Sequence, residues 1–269
     1  MVAEMLWLGG IKMKKTFLEY DKPTLTVMVQ ANNPDRIKEL IDKSSVNGAE
    51  AYGMQFERLK SEYRNRKVYK ELFTYTDKPV YVTNYRYGEN EGKSDEVLAE
   101  ELLELADCGA TLCDIIGDLY DKQPDEVAVS EDAIQKQMKL IDDLHEKGAE
   151  VLISSHILTY TPAQRVLEIA LEHQRRGADI AKIVTGASTM EEQLENLKII
   201  NLLKENLKIP FLFLAGGECQ ILRRIGGELG NCMYLCVHEY DDLSTAIQPL
   251  LKHVKAIRDN MKGGENDAS

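Results

Sequence analysis

The amino-acid sequence predicts a single (β/α)8 barrel. Eight short apolar runs recur along the chain, helical patterns lie between them, and glycine repeatedly stands just before the next run. Strands that alternate with helices are typical of βαβ units. The runs are almost continuously apolar, as expected for parallel strands that are buried on both faces.

The eight runs begin 22 to 38 residues apart. They cover residues 24–31, 49–56, 79–86, 112–119, 150–156, 180–187, 210–217 and 232–237. We expect each run to form a strand. Eight such units with short helix-to-strand turns and right-handed crossovers close most simply into a barrel.

Residue signals mark the beginnings and ends of the intervening helices. Asn33-Pro34 is predicted to be an N-cap followed by proline at the first helical position. Thr161 combines that pattern with a capping box to Gln164, and the stretch from Ser188 to Glu191 predicts another capping box. Four helices are predicted to end at glycine, namely Gly48, Gly109, Gly148 and Gly177.

The sequence contains no Pro- or Ser-rich linker, so we expect one domain. The barrel is predicted over residues 23–262, after an N-terminal extension at 1–22 and before a disordered tail at 263–269.

The composition limits the kinds of partner. Hydrophobic residues make up 43% and charged residues 29%, as in ordinary soluble globular proteins. The net charge of −12 argues against nucleic acid or an anionic membrane, because both would repel the protein. We therefore expect a small-molecule substrate, and an anionic substrate would need a few specific cations to hold it.

The five cysteines are odd in number and show no CxxC spacing. Several lie in or beside apolar runs, where free cysteine behaves as a small core residue. We expect reduced, structural cysteines in a cytoplasmic protein. The histidines show no metal-chelating spacing, so neither a metal nor another cofactor is expected.

In a barrel, functional side chains collect at the C-terminal ends of the strands. The sharpest candidate is Lys182, in an otherwise apolar strand. A desolvated lysine becomes a nucleophilic amine that can attack a ketone or an aldehyde. The alternative is a lysine that reaches solvent or pairs with a neighbouring aspartate.

His156 closes the preceding strand, so its imidazole is predicted to lie beside Lys182. Histidine titrates near neutral pH and suits general acid–base catalysis. A core histidine bonded to a backbone carbonyl is the alternative.

Three further polar residues follow strands 2, 3 and 7, namely Gln55, Arg86 and Arg223. Arginine offers a planar fork that fits a carboxylate. Composition alone does not decide between Arg223 and Arg224 for this role. Gly216-Gly217 could also hold a phosphate on backbone amides, although two glycines are a weak signal.

These segments together resemble the type I 3-dehydroquinate dehydratases. Ser154-Ser155-His156 is similar to that family's strand-5 segment, and Asp179 to Ile183 is similar to its strand-6 segment. The resemblance implies that His156 is the general acid–base and that Lys182 forms a Schiff base.

Two other segments extend the resemblance. The stretch from Ile221 to Gly230 is similar to the family's strand-7 loop, and the stretch from Val82 to Arg86 is similar to its strand-3 end. The resemblance implies that Arg223 binds the substrate carboxylate and that Arg86 also binds substrate. It further implies a (β/α)8 barrel, a homodimer, no cofactor, and a place in the shikimate pathway of aromatic amino acid biosynthesis.

The sequence departs from the family in three places. At the end of strand 2 the family has an acid and an arginine, whereas this chain has Gly53-Met54-Gln55. Four residues beyond the strand-3 arginine the family has a glutamate, whereas Asn90 stands here between Glu89 and Glu91. We expect Gln55 and Glu89 to serve in these places. After strand 8 the family carries a Ser/Pro/Gly/Gln lid, which residues 237–242 do not match.

The sequence therefore predicts a lyase that dehydrates 3-dehydroquinate, or a related cyclic keto acid, through Lys182 and His156. A class I aldolase that uses the same imine is an alternative. A barrel that has lost catalysis and serves in binding or regulation is another, since the strand-2 charges are missing.

Overall fold

The computed structural model describes residues 16–19, 21–217, 220–244 and 247–261. Eight parallel strands form one sheet in the order β7-β6-β5-β4-β3-β2-β1-β8. Consecutive strands pair from β1 to β7, and β1 pairs with β8. The predicted (β/α)8 barrel is confirmed.

The strands are β1 (Thr24–Val29), β2 (Ala51–Gln55), β3 (Val80–Thr83), β4 (Leu112–Ile116), β5 (Glu150–His156), β6 (Ile180–Ala187), β7 (Phe211–Gly217) and β8 (Met233–Cys236). The helices are α1 (Pro34–Ser45), α2 (Arg66–Thr74), α3 (Asp95–Cys108), α4 (Glu131–Glu146), α5 (Ala163–Arg175), α6 (Met190–Asn206), α7 (Leu222–Leu229) and α8 (Leu251–Met261). Each strand falls within its predicted run.

The helix starts agree only in part with the capping predictions. Asn33 caps α1 through a bond from the Arg36 backbone amide, as predicted. The prediction for Thr161 was wrong, because α5 begins after Pro162 without a side-chain cap. The cap of α6 was predicted one residue too early: Thr189 accepts the bond from the Glu192 amide.

The buried apolar residues form two layers. Inward-facing side chains fill the barrel, including Ala51, Leu112, Leu152 and Ile180. Outward-facing strand residues pack against the helices in a larger cluster. Because side chains alternate along a strand, every second residue of each run points into the barrel.

The segment before β1 lies partly outside the described residues, and the C-terminal eight residues lie wholly outside them. Phe17 is buried, packs in the barrel cluster, and donates its backbone N–H to Glu150 at 3.0 Å. The predicted boundaries of the extension and the tail stay predictions.

Four of the five cysteines are described, and all four are free thiols, as predicted. Cys219 lies outside the described residues. Within the described ranges, no helix is long and apolar enough to cross a membrane. The same ranges contain no group of three or more His, Cys, Asp or Glu side chains that could hold a metal ion.

Candidate active site

A cavity of about 610 Å³ opens at the C-terminal ends of the strands. Five of the six predicted site residues line it: Lys182, His156, Arg223, Arg86 and Gln55. Glu89 is not among the lining residues; it accepts bonds from the backbone and the hydroxyl of Ser61. Its predicted role in substrate binding stays a prediction.

Lys182 is buried on β6 and points into the barrel, with 5% of its surface exposed. Its Nζ lies 3.0 Å from Asp114 Oδ2, 3.0 Å from the Tyr81 hydroxyl and 2.8 Å from the Tyr85 hydroxyl. The aspartate pairing that we considered as the alternative is therefore present. It is compatible with a catalytic amine, because the amine also lines the cavity.

Asp114 on β4 organises this cluster. Its carboxylate accepts hydrogen bonds from both tyrosine hydroxyls and from Ser154 Oγ, which lies 2.5 Å from Oδ1. Burial, followed by the charge of Asp114, raises the pKa of Tyr81 and Tyr85 well above the usual value. Both phenols therefore stay neutral and can donate hydrogen bonds.

His156 is bound on the opposite side by Glu126. Glu126 Oε2 lies 2.9 Å from His156 Nδ1 and 2.7 Å from the His156 backbone nitrogen. The Tyr85 ring packs edge-on against the imidazole, with ring centroids 5.2 Å apart. Tyr85 thus contacts both predicted catalytic residues.

The structure distinguishes Arg223 from Arg224. Arg223 lines the cavity from α7, donates from Nε to the Ala215 carbonyl at 3.0 Å, and lies 3.4 Å from Gln248 Oε1. Burial lowers the pKa of Arg223 to about 10, so the guanidinium stays charged at neutral pH. Arg224 donates to the Gln220 carbonyl instead.

Arg86 is less available than Arg223 to bind an anionic group of a substrate. Its Nε and Nη2 bond Asp95, each at 2.8 Å, and its Nη1 bonds Asp118 at 2.6 Å. Burial opposes the charge, but these hydrogen bonds together raise the pKa of Arg86. Two carboxylates thus balance this cation before any substrate enters.

At the end of β2, two side chains occupy the space beside Gly53, which stands where the family has an acid. A Cβ atom at Gly53 would lie 2.3 Å from Met28 Sδ and 3.1 Å from Tyr81 Cδ1. The space beside Gly53 is therefore filled by the Met28 and Tyr81 side chains. Gln55 remains at the cavity, where it donates to the Tyr87 hydroxyl at 3.1 Å and accepts from Arg58 Nε at 3.0 Å.

The residue at the family's strand-3 glutamate position, Asn90, is buried and structural. Its amide nitrogen donates to Asn84 Oδ1 and to the Tyr85 carbonyl, each at 2.8 Å. The carboxylate that contacts His156 is that of Glu126, between β4 and α4.

The sequence analysis missed five residues of the site: Tyr81, Tyr85, Asp114, Glu126 and Gln248. Strand alternation could have identified Tyr81 and Asp114 as inward-facing polar residues. No local pattern marks Glu126 or Gln248, because both lie in loops. Residues 237–242 do not match the family's lid, but Gln248, later in the segment after β8, lines the cavity.

Comparisons with known proteins agree with the architecture. A 3-dehydroquinate dehydratase from Alkaliphilus oremlandii is 36% identical over 92 residues, which is 34% of this chain and 36% of that protein. The match thus spans about a third of that relative.

Two solved structures are similar over most of their length. A type I 3-dehydroquinate dehydratase from Clostridium difficile, with covalent modified comenic acid, has a TM-score of 0.76 at 17% identity, covering 93% of this chain and 98% of that one. The 3-dehydroquinate dehydratase from Geobacillus kaustophilus has a TM-score of 0.75 at 14% identity, covering 89% and 91%. At these identities the similarity shows the fold. The type I 3-dehydroquinase family matches residues 25–246, and the chain therefore belongs to that family.

Proposed function

We propose that this protein is a hydro-lyase that dehydrates 3-dehydroquinate, or a related cyclic keto acid, through an imine on Lys182. The observation that carries the proposal is the placement of the Lys182 amine and the His156 imidazole in one cavity, both in contact with Tyr85. Family membership and the names of the similar dehydratases support the same reaction.

The first stage is imine formation. Asp114 contacts the Lys182 ammonium and can accept its proton as substrate enters. The freed amine attacks the ring ketone, and the resulting carbinolamine loses its hydroxyl as water to give a protonated imine. The imine draws electrons from the adjacent carbon and makes its C–H bond acidic.

The second stage is elimination. His156 removes the acidic proton, and the enamine then expels the hydroxyl at the next carbon, which takes a proton from His156. Hydrolysis of the imine consumes one water and releases an unsaturated ketone. One water formed with the imine, one is eliminated and one is consumed, so the net change is the loss of one water.

Substrate binding is assigned mainly to Arg223, whose guanidinium can hold a carboxylate at the cavity wall. Arg86 and Gln55 lie nearby and would contact hydroxyl oxygens. Asp95 and Asp118 already balance the charge of Arg86, so its contribution to binding a second anion would be small.

We further propose that the protein works in the cytoplasm as a homodimer, in the shikimate pathway that leads to aromatic amino acids. Free thiols in all four described cysteines support the reducing compartment. The dimer and the pathway rest on the family resemblance.

The experiment is borohydride reduction in the presence of 3-dehydroquinate, followed by intact-mass measurement and peptide mapping. We expect a covalent adduct on Lys182 and, without borohydride, the absorbance of a conjugated enone. Lys182→Met should abolish both, whereas the exposed Lys198→Met is the matched control and should change neither. His156→Ala should keep the adduct and reduce turnover about 10²- to 10⁴-fold, the usual benefit of general acid–base catalysis.

Absence of an adduct with 3-dehydroquinate and with a panel of cyclic keto acids would refute the imine. An adduct without enone, accompanied by C–C cleavage products, would favour the aldolase. Binding of the keto acid without any adduct would favour the non-catalytic alternative.

A further inference from the structure

We propose that Glu126 is the positioning residue for His156 and that the connection between β4 and α4 supplies it. This inference deepens the proposed function and rests on it. At the position where the family has a glutamate after strand 3, this chain has Asn90, which bonds Asn84 and the Tyr85 carbonyl. The carboxylate beside the imidazole lies in the connection between β4 and α4.

The contact geometry fixes the state of the imidazole. An ionised carboxylate has only acceptors, so the 2.9 Å contact between Glu126 Oε2 and His156 Nδ1 requires a proton on Nδ1. A neutral imidazole then carries its lone pair on Nε2, where it can act as a base. The bond from the His156 backbone amide to the same oxygen, at 2.7 Å, ties the carboxylate to the end of β5.

The backbone around Glu126 is held in an unusual conformation. Glu126 has a φ of +51°, which costs a non-glycine residue free energy and persists only where surrounding contacts enforce it. Ser155 Oγ donates to the Glu126 carbonyl at 2.9 Å. At Gly117 a Cβ atom would lie 2.4 Å from that carbonyl oxygen, so glycine permits the close approach.

A buried arginine clamps the loop on its other side. Arg176, which is 2% exposed, donates from Nη1 to the Gly117 carbonyl at 2.9 Å and from Nη2 to the Ala128 carbonyl at 2.7 Å. Its Nη1 also bonds Gln137 Oε1 on α4 at 2.6 Å. These contacts hold the connection between β4 and α4 in one conformation, in which the Glu126 carboxylate contacts His156.

The other charged groups of the cavity do not replace Glu126. Asp118 accepts hydrogen bonds from Arg86 and from the backbone N–H of Gln123, and Asp114 bonds Lys182. On its other side His156 meets the neutral Tyr85 ring. The remaining charged groups that line the described part of the cavity are the cations Lys122 and Arg223.

The test compares Glu126→Gln with Asp125→Asn in the full-length protein, with 3-dehydroquinate as substrate. Asp125 is the adjacent acid, bonds Arg165 and does not line the cavity, so its variant is the matched control. An amide at position 126 can donate to Nδ1 and stabilise the wrong tautomer. We expect kcat to fall about 10- to 100-fold, the range found when the hydrogen-bond partner of a metal-bound histidine is removed, with KM within about threefold.

Two readouts separate positioning from a merely structural role. The borohydride adduct on Lys182 should still form in Glu126→Gln, because imine formation does not use His156. The deuterium isotope effect at the acidic C–H should increase, because proton transfer becomes slower. Glu126→Asp should recover part of kcat, and formate should partly rescue Glu126→Ala, whose thermal unfolding checks that it folds.

Equal kcat in Glu126→Gln and Asp125→Asn would overturn the inference. Loss of the adduct in proportion to turnover would also overturn it, because the site as a whole would then have collapsed. If the wild-type protein forms no adduct, the proposed function itself fails, and the inference fails with it.

Discussion

At the scale of single residues, the unusual feature is the polar cluster around Lys182. A buried ammonium is costly unless it is compensated, and here one carboxylate and two phenols surround it. The cluster stabilises the charged amine in the resting protein, and Asp114 provides a direct acceptor when the amine must lose its proton. Tyr85 extends the cluster to His156, so the two proposed catalytic groups share one neighbour.

Tyr85→Phe should slow the formation of the imine. The phenylalanine keeps the ring against His156 but loses the hydroxyl 2.8 Å from Lys182 Nζ. Once Asp114 has taken the proton of the amine, the neutral hydroxyl can donate to the ketone oxygen as that oxygen becomes charged, and a hydrogen bond to a charged group contributes about 1.5–3 kcal/mol. We therefore expect about a 10- to 100-fold lower rate of adduct formation in time-resolved borohydride quenching. Tyr75→Phe, which removes an exposed hydroxyl from the residue after α2, is the control. An unchanged rate in Tyr85→Phe would show that its hydroxyl has no part in imine formation.

At the scale of elements, strand β5 carries one residue that lines the cavity and, next to it, one residue that packs against α5. His156 and Ser155 are adjacent on β5 and face opposite ways. His156 faces the cavity, whereas Ser155 lies 3.1 Å from Nε2 of the buried His173 on α5. The unit therefore places the proposed base, His156, on one face and buries the neutral imidazole of His173 on the other.

The buried His173 should make folding stability depend on pH. Burial, followed by the charge of Arg176, lowers the pKa of His173 from 6.5 to about 3. Between these values the unfolded chain binds a proton that the folded protein does not. Stability should therefore decrease as pH falls from about 6.5 to about 3, by at most about 1.4 kcal/mol per pH unit from this residue.

Urea unfolding of the wild type and of His173→Gln, at intervals from pH 4 to 7, measures this contribution. The variant should lose this part of the pH slope, whereas the exposed His253→Gln should keep it. Parallel pH profiles for the wild type and His173→Gln would contradict the assignment.

At the scale of the whole molecule, β7 and β8 close the barrel without pairing as a ladder. The Asn231 side chain spans the seam instead: its Oδ1 accepts from the Phe213 amide at 2.8 Å, and its Nδ2 donates to the Phe213 carbonyl at 2.9 Å. One backbone bond, from Cys232 N to Phe211 O at 3.0 Å, adds to this closure. A single buried amide thus takes the place of a strand pairing.

Asn231→Ala should destabilise the barrel by about 2 to 5 kcal/mol, because it leaves a buried N–H and a buried C=O of Phe213 without partners. Asn231→Asp keeps the acceptor but places a second carboxylate oxygen against the Phe213 carbonyl, so at neutral pH its loss should be at least as large. Chemical denaturation of both variants measures the effect, with the exposed Asn201→Ala as the control. A loss in Asn231→Ala no larger than that of the control would mean that the seam does not depend on this side chain.

By itself, the sequence determined the barrel and predicted the two residues, Lys182 and His156, that the proposed reaction uses. Near-continuous apolar runs and the glycines before them are local signals, because burial on both faces and chain reversal constrain neighbouring residues directly. Lys182 and His156 could be predicted for the same reason: each interrupts or ends an apolar strand, and consecutive strands of a barrel are neighbours.

The tertiary structure decided how those groups are supported. It placed Arg223 rather than Arg224 at the cavity, balanced Arg86 with two aspartates, filled the space beside Gly53 with Met28, and brought Glu126 to His156. None of these follows from periodicity, because loop conformations depend on contacts between residues far apart in the chain. The hydrogen bond from the Arg176 guanidinium to the Gly117 carbonyl, 59 positions away, is one such contact. The proposed chemistry could therefore be predicted from the strands, whereas the residues that contact its two side chains became evident only from the tertiary structure of the loops.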